Sequence, residues 1–192
     1  LSHPIQYQAP LLRRLAVEDS ISLRVIYEQA FSSRTYYDEG FQTEVAWDVP
    51  LREGYTSHLF AEISLDDVLA ESDAVWFHGW ESRNQRRVIR KAAKLGKFIL
   101  MRGENWFGAM PDGGGLTGIL RRSYHRKIFN LCSVFLAIGR KNRDYYLEHG
   151  IRAGNIFDVP YAVDNAAFQN TSTADEANDL RQSFGVAPTQ KL

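Results

Sequence analysis

A single cysteine, Cys132, stands among 192 residues, so no disulfide can form within the chain and a disulfide-stapled secreted fold is excluded. Long apolar runs are missing too. Each is broken by a charge or a turn residue well short of the roughly 18 residues a membrane helix needs, and no basic-then-apolar leader opens the chain. Net charge is absent: Lys+Arg and Asp+Glu both number 23, which gives no global pull toward nucleic acid or anionic lipid. No His, Cys, Asp and Glu cluster has metal-ligand spacing, and the GxSxG and GxxxxGK[ST] patterns do not occur. Gly113, Gly114 and Gly115 do not directly follow a strand, so flexibility explains them better than phosphate cradling. Metal hydrolase and serine hydrolase readings lose their main support. The expectation is a reduced, cytoplasmic setting, with no metal, no other cofactor and no nucleic-acid partner.

What is present suits a globular core, with 44% hydrophobic, 12% aromatic and 24% charged residues. Leu1 is followed by residues that read as the end of a strand, and the stretch 170–192 turns polar with one short helical pattern around Ala174 to Phe184. The chain therefore reads as a domain over 1–169, then a linker and helix over 170–192, within a larger protein.

Apolar spacing predicts a helix over Gln8 to Val17, with Pro10 near its first turn. Ile21 to Tyr27 reads as a strand, with weaker strand signals at Val45 to Val49 and Tyr55 to Phe60. Ser64 caps a short helix with Asp67 at its third position, and Ala74 to His78 looks like a fully buried strand. Ser82 and Gln85 form a capping box for a helix that runs to about Leu95 and stops at Gly96. The strand KFIL follows, then a glycine-rich stretch from Arg102 to Gly118, long enough to suggest a functional loop. A helix from about Leu120 to Asn130, the strand VFLAIG, a helix from Asn142 to His149 stopped by Gly150, and the strand NIFDVP complete the pattern. Such alternation predicts an α/β fold, a doubly wound and mostly parallel sheet with helices on both faces.

Ligands of such sheets sit outside the carboxyl ends of the strands. That rule selects His3 and Gln6 in the first turn, His78, Gly79 and Trp80 in the second, Arg102, Glu104 and Asn105 in the third, and Gly139 and Arg140 in the fourth. An imidazole at His78 can donate to a sugar hydroxyl or phosphate oxygen, or move a proton near neutral pH; its structural alternative is a hydrogen bond to a neighbouring loop. Arg102 suits a phosphate or carboxylate, and Glu104 suits a hydroxyl or the work of a base, unless the two brace the loop as an ion pair. His3 and Gln6 can contact a ligand or simply form the turn. His58, His125 and His149 have structural explanations, and Cys132 reads as buried filler.

Charge is unevenly spread. Residues 1–82 carry 5 basic and 14 acidic side chains, 83–152 carry 16 and 4, and 153–192 carry 2 and 5, giving −9, +12 and −3. Arg86, Arg87, Arg90 and Lys94 on one helix and Arg121, Arg122, Arg126 and Lys127 on another can attract phosphates, or can be ordinary solvated faces.

The segment Val134 to Phe168, VFLAIGRKNRDYYLEHGIRAGNIFDVPYAVDNAAF, resembles the end of the N-terminal domain of family 4 (group 1) glycosyltransferases. The resemblance rests on a strand and small turn, a helix with a tyrosine, a glycine, a short strand, and Pro160, Tyr161, Ala162, Val163 and Asp164 closing on Phe168, with alanine in the usual glycine place. FHGW and MRGENW sit where such domains place cleft loops, and SHPIQYQAP where their first strand meets its first helix. The resemblance implies the Rossmann-like N-terminal half of a GT-B fold, on the acceptor side of an enzyme that moves a sugar from a nucleotide-sugar co-substrate with retention. It implies a glycan or lipid-linked acceptor, no required metal, and a C-terminal domain that holds the donor, without which this part would be inactive. His78 and Glu104 are then the catalytic candidates, and His3, Gln6, Gly79, Trp80, Arg102, Asn105, Gly139 and Arg140 the substrate-binding ones. The first turn is His3-Pro4-Ile5-Gln6, whereas many members are glycine-rich there. The basic helices suggest contact with an anionic membrane at its inner face. A nucleotide-sugar epimerase half and a non-enzymatic module that binds phosphate or anionic lipid are the competing readings.

Overall fold

The computed structural model of the chain describes residues 1–30, 35–40, 42–47, 50–109, 115–165, 169, 173–187 and 190. Two compact units divide it, Leu1–Tyr161 and Ala162–Leu192. The second holds helix α6, Ala174–Ser183, opened by a capping box between Thr173 and Glu176. Everything below concerns the first.

Four strands form its main sheet: β5 (Ala74–His78), β6 (Phe98–Arg102), β7 (Val134–Ala137) and β8 (Ile156–Asp158), side by side in chain order and all parallel. Helices α3 (Arg83–Lys94), α4 (Gly115–Phe129) and α5 (Arg140–Glu148) connect them. Right-handed crossovers between neighbouring parallel strands put successive helices on one face. The core shows that face directly: Phe77, Ile99, Met101, Phe135 and Ala137, alternate strand residues, pack with Ile89 and Ala92 of α3, Ile128 and Phe129 of α4, and Tyr145 and Tyr146 of α5. Ser82 and Gln85 make the expected capping box of α3, while Gly96 and Gly150 close α3 and α5 in the left-handed conformation.

A second parallel pair joins β1 (Arg24–Tyr27) to β4 (Thr56–Leu59). Helix α1 (Ala9–Ala16) lays Leu12 on Val25 and Tyr27 beside it, and α2 (Leu65–Glu71), capped by Ser64, sends Leu69 into the main core. No strand forms at Leu1, where one was expected to end, but its amine donates to Ile26 O at 2.9 Å and Glu28 N donates to Leu1 O at 2.9 Å, which ties the first residue to β1.

Several expectations change. Strand β1 starts at Arg24, three residues later than Ile21, because Ile21 N closes the turn after α1 on Glu18 O. An antiparallel hairpin, β2 (Tyr36–Asp38) with β3 (Thr43–Val45), takes the place of the weak signal at Val45 to Val49, whose last two positions lie outside the described residues. Strand β5 is not fully buried. It borders the four-stranded sheet, and only Phe77 of its five residues is fully covered. The long glycine loop is shorter than expected, since α4 begins at Gly115; residues 110–114 lie outside the described ones. No helix among the described residues is long and apolar enough to cross a membrane.

Candidate active site

The carboxyl ends of β5 and β6 place His78 and Arg102 side by side in register. Strand alternation turns both away from the Phe77 and Met101 core, to the face where α1 begins. There Gln8, buried at the start of α1, sets its Nε2 3.1 Å from His78 Nδ1. Trp76 lies against the imidazole with ring centroids 4.6 Å apart. Burial, reinforced by the Arg102 guanidinium, lowers the His78 pKa to about 3. The ring is therefore neutral at physiological pH. With Nδ1 accepting from Gln8, its one proton sits on Nε2, leaving a neutral donor. Gln8 Oε1 is buried with no partner among the described residues, an acceptor without a donor beside the histidine.

Arg102 and Glu104 do not form the ion pair that was the structural alternative. Arg102 is 2% exposed, its Nη2 donates to Val159 O at 3.4 Å, and the guanidinium lies over the Tyr161 ring at 4.5 Å. Its Nε has no hydrogen-bond partner among the described residues. The Glu104 carboxylate instead accepts a short hydrogen bond from the Tyr161 hydroxyl and a long one, 3.5 Å, from Tyr7. The two tyrosine rings meet edge to face at 5.0 Å. Burial and the Glu104 carboxylate together push the Tyr161 hydroxyl pKa up, so it remains a donor. Tyr7 and Tyr161 were missed from the sequence. Tyr7 lies one residue from the selected Gln6, and Tyr161 comes from beyond β8, so only the chain's return to the strand ends brings them to Glu104.

Other expected residues divide. Gly79 adopts φ +93°, and its N donates to Arg102 O at 2.7 Å, tying the two cleft turns together. His3, half-buried, sits with Nδ1 3.1 Å from the Ser2 hydroxyl, and burial lowers its pKa. Gln6 is half-buried in the same turn, yet Gln8 is the glutamine that meets His78. Trp80 must be reassigned. At 2% exposure it packs edge-on against Phe129 with centroids 4.7 Å apart, so its ring belongs to the core and has no face for a substrate. Asn105 is a brace: its Nδ2 donates to Glu81 at 3.1 Å and its carbonyl accepts from Asn142 at 2.8 Å. Gly139 and Arg140 border a hollow of about 320 Å³ at the ends of β7 and β8, with Arg143 and Asp158 on its wall. A larger hollow, about 710 Å³, opens among Asp19, Ser20, Gly54 and Tyr55, beside the first residues of β1 and β4 and away from these groups. Among the described residues no group of His, Cys, Asp and Glu can hold a metal. His125 and His149 are both buried: His125 Nδ1 meets the Tyr145 hydroxyl at 3.1 Å, and His149 Nδ1 donates to the Tyr145 backbone carbonyl at 2.8 Å.

Parallel strands, one-sided crossovers and a polar crevice at the strand ends define an α/β domain matching one half of a GT-B glycosyltransferase. HepE of Anabaena carries that likeness. In complex with UDP and glucose it matches 94% of this chain and 45% of its own at a TM-score of 0.55 and 13% identity. In complex with UDP it matches 96% and 49% at 0.57 and 13%. This chain spans about half the length of the HepE chains it matches. No protein-family model and no curated protein matches the sequence.

Proposed function

We propose that this chain is the acceptor-side, N-terminal half of a retaining glycosyltransferase, taking a sugar from a nucleotide-sugar and passing it to a glycan or lipid-linked acceptor. The observation that carries the reading is the polar cluster at the strand ends. His78 is a neutral donor held by Gln8, and Glu104 is held by two tyrosines beside a buried guanidinium. Aromatic rings flanked by a carboxylate and hydrogen-bond donors suit a sugar, whose hydroxyls need both partners and whose C–H faces need an apolar wall. The UDP and glucose held by HepE favour a uridine nucleotide-sugar as donor. In this proposal His78 positions the sugar and stabilises developing charge, Glu104 accepts from an acceptor hydroxyl, and a second domain of the same protein holds the nucleotide. Arg102, buried beneath Tyr161, packs on the ring and adds to the burial that keeps the imidazole neutral. The single unpaired cysteine agrees with a cytoplasmic setting.

The test measures nucleotide release from UDP-, GDP- and ADP-sugars by the protein carrying both halves, by this chain, and by a His78→Ala variant of the longer form. Release by the long form only, falling about 100-fold with His78→Ala, supports the transferase and identifies the donor. Conversion of the sugar with no acceptor present would instead mark an epimerase, and intact donors with every acceptor would defeat the reading.

A further inference from the structure

Arg102 is the one Lys, Arg, Asp or Glu among the buried side chains described, and it makes no ion pair with any described residue. Taking a guanidinium out of water is costly unless a carboxylate and hydrogen bonds compensate it. Here the compensation is thin. Among the described residues its hydrogen bonding is limited to Nη2 on Val159 O at 3.4 Å, and Nε, itself buried, has no partner there. Neighbouring His78 is neutral and offers no countercharge. A cation that the fold buries without an anion is one that a ligand can complete.

What covers the guanidinium indicates the shape of that ligand. Tyr161 lays its ring over Arg102, with the centroid 4.5 Å from Cζ, and donates its hydroxyl to Glu104. One six-membered ring with one hydroxyl therefore spans the distance from cation to carboxylate. A pyranose has the same ring size, and its hydroxyls can donate to Glu104 in the same way. It can also carry an oxyanion where the tyrosine presents only its π face, and an oxyanion pairs with a guanidinium through two hydrogen bonds. Tyr161 is the covering group best placed to leave. It is 39% exposed, ends the first compact unit and lies outside any helix or strand, whereas Arg102 is fixed in β6.

We propose that Tyr161 occupies the place of a sugar acid: the crevice takes a pyranose bearing a carboxylate or phosphate, its oxyanion on Arg102 and a hydroxyl on Glu104, with the tyrosine ring displaced. The ring shields the cation until an anion replaces it. A neutral sugar gains nothing at Arg102 yet has to displace the same ring, which makes the site selective for charge. That the sugar acid is the acceptor rests on the transfer reaction proposed above, whereas the anion site does not depend on it.

Thermal unfolding of the full chain in glucuronate, glucose-6-phosphate, glucose or inorganic phosphate, all at one ionic strength, tests it. Either sugar acid, at about 100 times its Kd, should raise the midpoint by roughly 5–10 °C, and the larger shift assigns the oxyanion as carboxylate or phosphate. Glucose should leave the midpoint unchanged. Arg102→Met should weaken binding of the sugar acid by roughly 10- to 100-fold. Its midpoint without ligand should not fall, because an apolar side chain replaces an unpaired buried charge. Tyr161→Leu should tighten binding by about threefold by removing the competing ring. No shift with either acid, an equal shift with glucose or inorganic phosphate, or a shift kept in full by Arg102→Met would overturn the proposal. So would a lower ligand-free midpoint in Arg102→Met, or weaker binding by Tyr161→Leu. Acid binding without sugar transfer would leave this site standing while removing the reaction, and transfer without acid binding would do the reverse.

Discussion

The two parallel sheets of the first unit are held in different ways. Around the four-stranded sheet, buried side chains from α2, α3, α4 and α5 meet alternate strand residues, and Phe129 alone touches the rings of Trp80, Phe135, Tyr146 and His149. Beside β1 and β4 the buried apolar cluster is Leu12, Val25 and Tyr27. Polar ties do more there: the Tyr27 and Tyr55 hydroxyls meet at 2.7 Å, Tyr55 donates to Leu51 O, and Arg13 donates to Pro50 O at 2.6 Å. Where the two regions join, Gln8 reaches His78 and the Ser82 hydroxyl donates to Glu28 at 2.5 Å. The difference teaches where chemistry fits. A wide sheet supplies a rigid wall, and a thinly packed partner leaves polar groups at the junction.

The largest test of that contrast compares two deletions. Phe129→Ala should cost about 3–5 kcal/mol and Leu12→Ala about 2–3 kcal/mol, measured by urea unfolding. A reversed order would mean that the small cluster, not the large one, holds the domain together. At the junction, burial depresses the His78 pKa from 6.5 to about 3, so the unfolded chain binds a proton there that the folded chain does not. His78 therefore contributes its full share of stability above about pH 6.5, and that share falls as pH drops, by up to about 1.4 kcal/mol per unit. Urea unfolding at a series of pH values should show a shallower acid slope for His78→Gln; an identical slope would mean that the imidazole stays solvated. Smaller effects come next. Ser82→Ala removes the α3 cap and the tie to Glu28, for about 1 kcal/mol, and Tyr55→Phe should cost about as much by leaving the Tyr27 hydroxyl short of a partner. Smallest of all, Leu116→Ser should change stability by less than about 0.5 kcal/mol, because that side chain is 80% exposed at the start of α4. A larger loss in thermal unfolding would show that the start of α4 is covered.

Local signals were most legible where one residue type has one job. The Ser82 and Gln85 capping box, the stop at Gly96 and the apolar strand VFLA all lie where sequence spacing puts them. Strand-end reasoning also selected His78, Arg102 and Glu104, which the fold brings to neighbouring strand ends. It also selected Trp80, whose ring the core takes, because position after a strand says nothing about which way a side chain turns. It missed Tyr7 and Gln8, which lack any motif, and did not select Tyr161 as a site residue although it lies in the stretch that carries the family resemblance. The ion pair between Arg102 and Glu104 looked plausible from adjacency, yet Tyr161 comes between the two groups and takes both, one on its ring and one on its hydroxyl.

By itself the sequence determined the order of helices and strands in the main sheet, their caps and the basic character of residues 83–152, because these depend on neighbours a few positions apart. Tertiary structure alone decided which polar groups share a crevice, which histidines are buried, and that α4 begins with its aliphatic residues in solvent. Those outcomes depend on residues up to 97 positions apart, as in the Tyr7 to Glu104 contact, and no local pattern encodes such a distance.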